Sequence, residues 1–161
     1  MDEVDQILIA IRRITRAIDL HSKKLVKSAG LTVPQLVVMQ SIRRGGKQPI
    51  GRIAADVSLS QATVTTVLDR LERAGLVRRE RSEQDRRVVS ACLTLDGKTK
   101  LEEAPEPMQE NFMREFAKLE SWERHMLTAA LERVAAMMDA EDLDAAPILT
   151  PGEDLPKAPE C

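Results

Sequence analysis

Apolar residues recur at helical steps from the start of the chain. Ile7, Ile11, Ile14, Ile18 and then Leu25 share one face between Val4 and Ala29, which predicts a long amphipathic helix stopped by Gly30. Thr32-Val33-Pro34-Gln35 announces a second: Thr32 can accept from the N3 amide, Gln35 can reach back, and Pro34 is tolerated in the first turn. It continues through Leu36, Val37, Met39 and Ile42 to Gly45-Gly46. Pro49 precedes a short third helix from Ile50 to Val57, and Ser60 is placed to cap a fourth from Gln61 to Ala74. That fourth helix carries Val64, Val67, Leu68 and Leu71 on one stripe and Gln61, Ala62, Thr65, Thr66, Asp69 and Arg73 opposite, so one side packs and the other is presented. After Gly75 the period becomes two, predicting a hairpin of Leu76 to Arg81 and Val88 to Leu95 around a polar turn, Ser82 to Arg87. Thr94 can cap the next helix, which Pro105 and Pro107 must kink or break. Helical spacing resumes in Met108, Phe112, Phe116 and Leu119, and Ser121 is expected to cap a last helix bearing Leu127, Leu131, Val134 and Met138.

Composition agrees with a mainly α chain. Of 161 residues, 43% are hydrophobic and 31% charged, whereas aromatics, on which strands lean, make up 2%. The net charge of −2 conceals its distribution. From Arg43 to Arg87 eleven basic residues stand against six acidic ones, a local charge of +5, while from Asp139 to Cys161 seven acids against Lys157 give −6. The middle should attract polyanions, and the Pro- and acid-rich residues 140–161 are expected to be a disordered tail. Cys92 and Cys161 are too far apart in sequence to suggest a disulfide framework, and with only His21 and His125 beside them neither a metal site nor another cofactor is expected. No Ser/His/Asp, Cys/His, paired-carboxylate or phosphate-loop arrangement points to an enzyme. No apolar run approaches the roughly 20 residues that span a bilayer and the N-terminus is acidic, so a cytoplasmic protein without membrane contact is expected.

A short helix, a three-residue turn, a helix buried on one side only and then a basic hairpin is the order of a winged helix-turn-helix. The major groove admits one helix, whose first turns must carry short polar or methyl-bearing side chains able to meet base edges. Gln61, Ala62, Thr65 and Thr66 meet that requirement, and an arginine at the tip of a two-stranded wing suits the narrow minor groove.

The residues Asp85-Arg86-Arg87-Val88-Val89-Ser90-Ala91-Cys92-Leu93-Thr94 carry a D-x-R followed by L-T. With Ser60, Thr63-Val64-Thr65 and Asp69 to Val77, the stretch resembles the MarR family of bacterial transcriptional regulators, over nearly the whole chain up to about Asp139. The resemblance implies a winged helix-turn-helix in residues 31–97, flanked by dimerisation helices in 1–30 and 98–139. It implies a homodimer on a pseudo-palindromic double-stranded operator, acting as a repressor released by a small-molecule or osmotic signal. Ser60, Gln61, Ala62, Thr63, Thr65, Thr66, Arg70, Arg73, Arg86 and Arg87 become the candidate DNA contacts, with Arg70 on phosphate, Arg87 in the minor groove and Asp85 holding its guanidinium. Thr66 departs from the family, which often has a basic residue there. Residues 16–25 and 30–36 resemble the branch that regulates compatible-solute (ectoine or betaine) genes, and Arg13, Arg16, His21 and Met39 are the candidate effector contacts. Cys92, facing the same side as Val88 and Ser90, is read as an inert thiol. The competing reading is a winged helix used for protein contacts, which would not need the wing arginines.

Overall fold

The computed structural model describes residues 2–152 and 155. Helix α1 (Glu3–Ala29) ends where Gly30 takes a left-handed φ of 65° and donates its N–H to the Val26 carbonyl. Helix α2 (Val33–Gly45) starts on a capping box: Thr32 Oγ1 accepts from the Gln35 N–H at 3.4 Å, and Gln35 Oε1 accepts from the Thr32 N–H at 2.9 Å. Strand β1 (Gln48–Pro49) leads into α3 (Ile50–Val57), and α4 (Gln61–Arg73) follows a left-handed residue, Ser58. Strands β2 (Val77–Arg81) and β3 (Val89–Leu93) form the hairpin, after which come α5 (Leu95–Glu103), α6 (Met108–Ala117) and α7 (Ser121–Met137). The sheet is antiparallel in the order β1-β3-β2, with Gln48 opposite Ala91 and Val77 opposite Leu93.

The core lies between α2, α3, α4 and the inner face of this sheet. Leu36, Met39, Ile42, Ile53, Leu68, Leu71 and Val77 are almost wholly removed from water, together with Leu25 from the end of α1 and Leu101 from α5. At about 1.5–3 kcal/mol for each such side chain, this cluster is what holds α4 in place. Gly97 in α5 lies so close to the strand side of the hairpin that a Cβ there would be 2.0 Å from the Leu76 carbonyl oxygen. Thr94, whose hydroxyl accepts the Gly97 N–H and donates to the Gly75 carbonyl, closes the same corner.

The long helices behave differently. Val4, Ile7, Leu8 and Ile14 of α1, Phe112 and Met113 of α6, and Trp122, Met126 and Leu131 of α7 are all more than half exposed in the single chain.

Four expectations are corrected or sharpened. Strand β1 adds a third member to what the sequence suggests is a two-stranded hairpin, because Gln48-Pro49 is too short to show a period of two. Pro105 and Pro107 break the helix rather than kink it: α5 ends at Glu103 and Pro107 becomes the cap of α6. The last helix is capped by Glu120, whose N–H is accepted by Glu123, so Ser121 is its first helical residue instead of its cap. The tail is not free throughout. Ile148 is 8% exposed, Ala146 and Leu155 pack against the core, and the Ala146 N–H donates to the Leu155 carbonyl at 2.8 Å. Residues 153, 154 and 156–161, including Cys161, lie outside the described residues.

Candidate nucleic-acid interface

Helix α4 buries Val64, Val67, Leu68 and Leu71 and turns Gln61, Ala62, Thr65, Thr66, Arg70 and Arg73 to solvent. Its N-terminus is set by Ser60, whose Oγ accepts the Thr63 N–H at 3.1 Å and lies 2.8 Å from Thr63 Oγ1. Ser60 and Thr63 therefore fix the helix start, and both are partly buried. The next two threonines are bonded backwards along the helix: Thr65 Oγ1 donates to the Gln61 carbonyl at 2.8 Å and Thr66 Oγ1 to the Ala62 carbonyl at 3.1 Å. Their hydroxyl hydrogens are spent, which leaves oxygen lone pairs and methyl groups for an incoming base edge. Gln61 folds its amide toward α3, where a Cβ on Gly51 would sit 3.0 Å from Nε2.

Helix and hairpin are tied by one arginine. Arg79 on β2 donates Nε and Nη2 to Glu72 Oε2 at 3.0 and 2.6 Å and its own N–H to Glu72 Oε1 at 3.0 Å, while Nη2 also reaches Asp69 Oδ1 at 2.7 Å. The Arg79 side chain and backbone bonds hold the Glu72 carboxyl below the usual carboxylate range. This clamp engages two acids on the flank of α4 with one guanidinium and ties β2 of the wing to the helix. Sequence reasoning counted Arg79 only as polyanion-attracting charge. The signal available in the sequence was an acid in the last turn of α4 and a base seven residues later, beyond a glycine turn.

At the wing tip Ser82 Oγ accepts the N–H groups of Gln84 and Asp85, and Asp85 Oδ1 accepts the Arg87 N–H at 2.9 Å. Asp85 thus supports the wing through the backbone of Arg87, a correction to the expected guanidinium contact: no Asp85–Arg87 ion pair forms among the described residues. The short Asx-turn satisfies the carboxylate locally and leaves the Arg87 side chain exposed. Of the basic window, Arg44, Lys47, Arg78 and Arg79 are paired with carboxylates. Arg43, Arg52, Arg70, Arg73, Arg81, Arg86 and Arg87 carry no ion pair among the described residues, and all seven are exposed.

The candidate effector residues are not brought together. Met39 is fully buried in the core on the inner face of α2, so it faces no open cavity. Arg13 and Arg16 lie on the exposed surface of α1. Half-buried His21 accepts the Met108 N–H on Nε2 at 3.2 Å, joining α1 to the start of α6. Burial, and then Lys24, push its pKa below the usual imidazole value, consistent with a neutral ring that accepts. Beside this joint, Ser22 Oγ and Gln109 Oε1 are buried with no hydrogen-bond partner among the described residues. Cys92 donates weakly to the Arg78 carbonyl across the hairpin. Among the described residues there is no group of three or more metal-ligating side chains, and no helix is long and apolar enough to cross a membrane.

Comparison with known proteins agrees with this geometry. The MarR family model matches residues 31–89. The transcriptional repressor MdtR of Bacillus subtilis is 29% identical over 107 residues, 64% of this chain and 69% of that protein. An HTH-type transcriptional regulator of the same organism, YhbI, is 31% identical over 111 residues, covering 65% of this chain and 72% of its own. Among solved structures, a MepR-like protein complexed with pseudoligands superimposes with a TM-score of 0.59 at 28% identity, over 86% of this chain and 97% of that one. With the winged helix, the capped and half-presented α4 and these relatives in agreement, the chain belongs to the MarR family of transcriptional regulators.

Proposed function

We propose that the protein is a homodimeric, sequence-specific repressor that binds a pseudo-palindromic operator and is released by a small molecule. The observation that carries the reading is the clamp: it holds a helix presenting short polar side chains at a set position against a wing whose Arg86 and Arg87 are left unpaired by the described residues. A helix in the major groove and an arginine tip in the adjoining minor groove make one reading head. The exposed apolar faces of α1, α6 and α7 support pairing of two such heads, since surface of that kind is normally covered. Ser22 Oγ and Gln109 Oε1, buried beside His21 with no hydrogen-bond partner among the described residues, support a ligand-responsive joint between α1 and α6.

Selection of bound sites from random duplex DNA tests the reading. Two half-sites about 34–36 Å apart are expected, bound by a dimer. With six or so phosphate contacts, affinity should fall roughly a thousandfold between 50 and 200 mM salt. Arg87→Ala should weaken binding to every operator and lower the salt slope while keeping the half-site consensus. An unchanged affinity and salt slope in the folded Arg87→Ala chain would remove the wing from the interface, and enrichment of no sequence would favour a protein-contact module instead.

A further inference from the structure

The C-terminal segment folds back onto the surface that is proposed to read DNA. Past the end of α7 the chain places Ile148 against the core and closes on itself through the Ala146 N–H and the Leu155 carbonyl. Leu155 then forms part of the wall of a cavity of about 370 Å³ whose other sides include Gln35 at the start of α2 and Thr63, Thr66 and Arg70 of α4. The segment that does this is acidic. Residues 139–161 carry a charge of −6, and Glu153 and Asp154 immediately precede Leu155 in the sequence.

We infer that this segment is an intramolecular competitor of DNA, seated by Ile148 and Leu155 beside the recognition helix and displaced when the operator binds. The inference rests on the DNA-binding reading of α4. Two physical effects act together. With Leu155 in place, the apolar side chain occupies space beside Thr66 and Arg70 that a duplex must enter to reach them. The net negative charge of the segment works in the same direction, against a polyanion. Tethering makes the competitor effective despite so small a contact, because a short linker holds its local concentration in the millimolar range. Pro147 and Pro151 restrict the free segment and lower the entropy lost on seating. The apparent affinity for DNA is then the intrinsic affinity scaled by the fraction of molecules with the segment released.

The test uses the full chain with Cys92→Ser, Cys161→Ser and Thr66→Cys, so that maleimide labelling reports access to the reading face. Leu155→Ala in this background is expected to speed labelling by at least about threefold. In the chain with Thr66 intact, Leu155→Ala should tighten binding to a random-sequence duplex of about 30 base pairs by a similar factor. Melting temperature controls for folding, and Leu155→Met should behave as the parent in both assays. Labelling unchanged by Leu155→Ala overturns the docking, whether or not duplex binds. Faster labelling with unchanged duplex affinity overturns the competition. Faster labelling with no duplex binding by either chain overturns the DNA reading, a separate failure.

Discussion

On the proposed DNA-binding reading, Thr65 offers a base edge an acceptor and a methyl group, because its hydroxyl hydrogen is committed to the Gln61 carbonyl. A thymine methyl is the partner that needs no hydroxyl hydrogen. Thr65→Val, which keeps the branched methyl, is therefore expected to retain most of the affinity, whereas Thr65→Ala should cost about 1–3 kcal/mol at one base pair of each half-site. Competition binding with singly substituted duplexes measures both. Gly51 lies against Gln61, the neighbouring side chain proposed to read a base. A Cβ there would press on the Gln61 amide at 3.0 Å, so Gly51→Ala should raise the melting temperature by lowering unfolded-state freedom and at the same time shift base preference as Gln61→Ala does. The two changes combined should shift preference no further than either alone. At this scale the caps at Thr32, Ser60 and Thr94 were legible because donor and acceptor lie three residues apart. The role of Asp85 was not, since its carboxylate can reach either the Arg87 backbone or its guanidinium and sequence alone does not choose.

Between elements, the bonds of Glu72 to Arg79 cross-link α4 to the hairpin outside the core. The Glu72 carboxyl titrates below its ordinary value, so its contribution to stability is complete above that value and is lost as pH falls through the lowered one. Glu72→Gln should lower the urea midpoint at neutral pH and make the midpoint fall less steeply as pH drops below the ordinary glutamate range. A variant whose acid limb parallels the parent's would show that the clamp adds nothing to folding. Elements with internal rhythm were readable: α1 to Gly30, the buried stripe of α4, the break at Pro105 and Pro107. Strand β1 was not, because its two residues acquire their identity only by pairing with Ala91 and Ser90 some forty positions away.

Across the whole molecule, the apolar faces of α1 and α7 have no partner within the described chain, whereas the winged-helix core is built from α2 to α5, the last turns of α1 and Ile148 of the returning tail. If the proposed dimer forms through these faces, Leu131→Asp is expected to yield a folded monomer in analytical ultracentrifugation, with operator affinity reduced at least about a hundredfold through loss of bivalency. Unfolding instead of dissociation would mean that α7 supports the core of its own chain. The surplus of apolar surface was legible as amphipathic periodicity, but the return of the tail was not. Ile148 and Leu155 are isolated apolar residues in an acidic, proline-rich stretch, and no periodicity marks where such residues will land.

The Arg79 clamp has a mechanical consequence. Four hydrogen bonds and ion pairs, backed by one core, fix strand β2 against α4, so on the proposed DNA-binding reading helix and wing approach adjacent grooves at a set spacing. Such a gap acts as a caliper on helical phase. Duplex that is overwound or underwound across a half-site presents its grooves out of step and must be retwisted to fit, at an energy that depends on the local base steps. Superhelical strain in the chromosome would then tune occupancy without any change in sequence or protein.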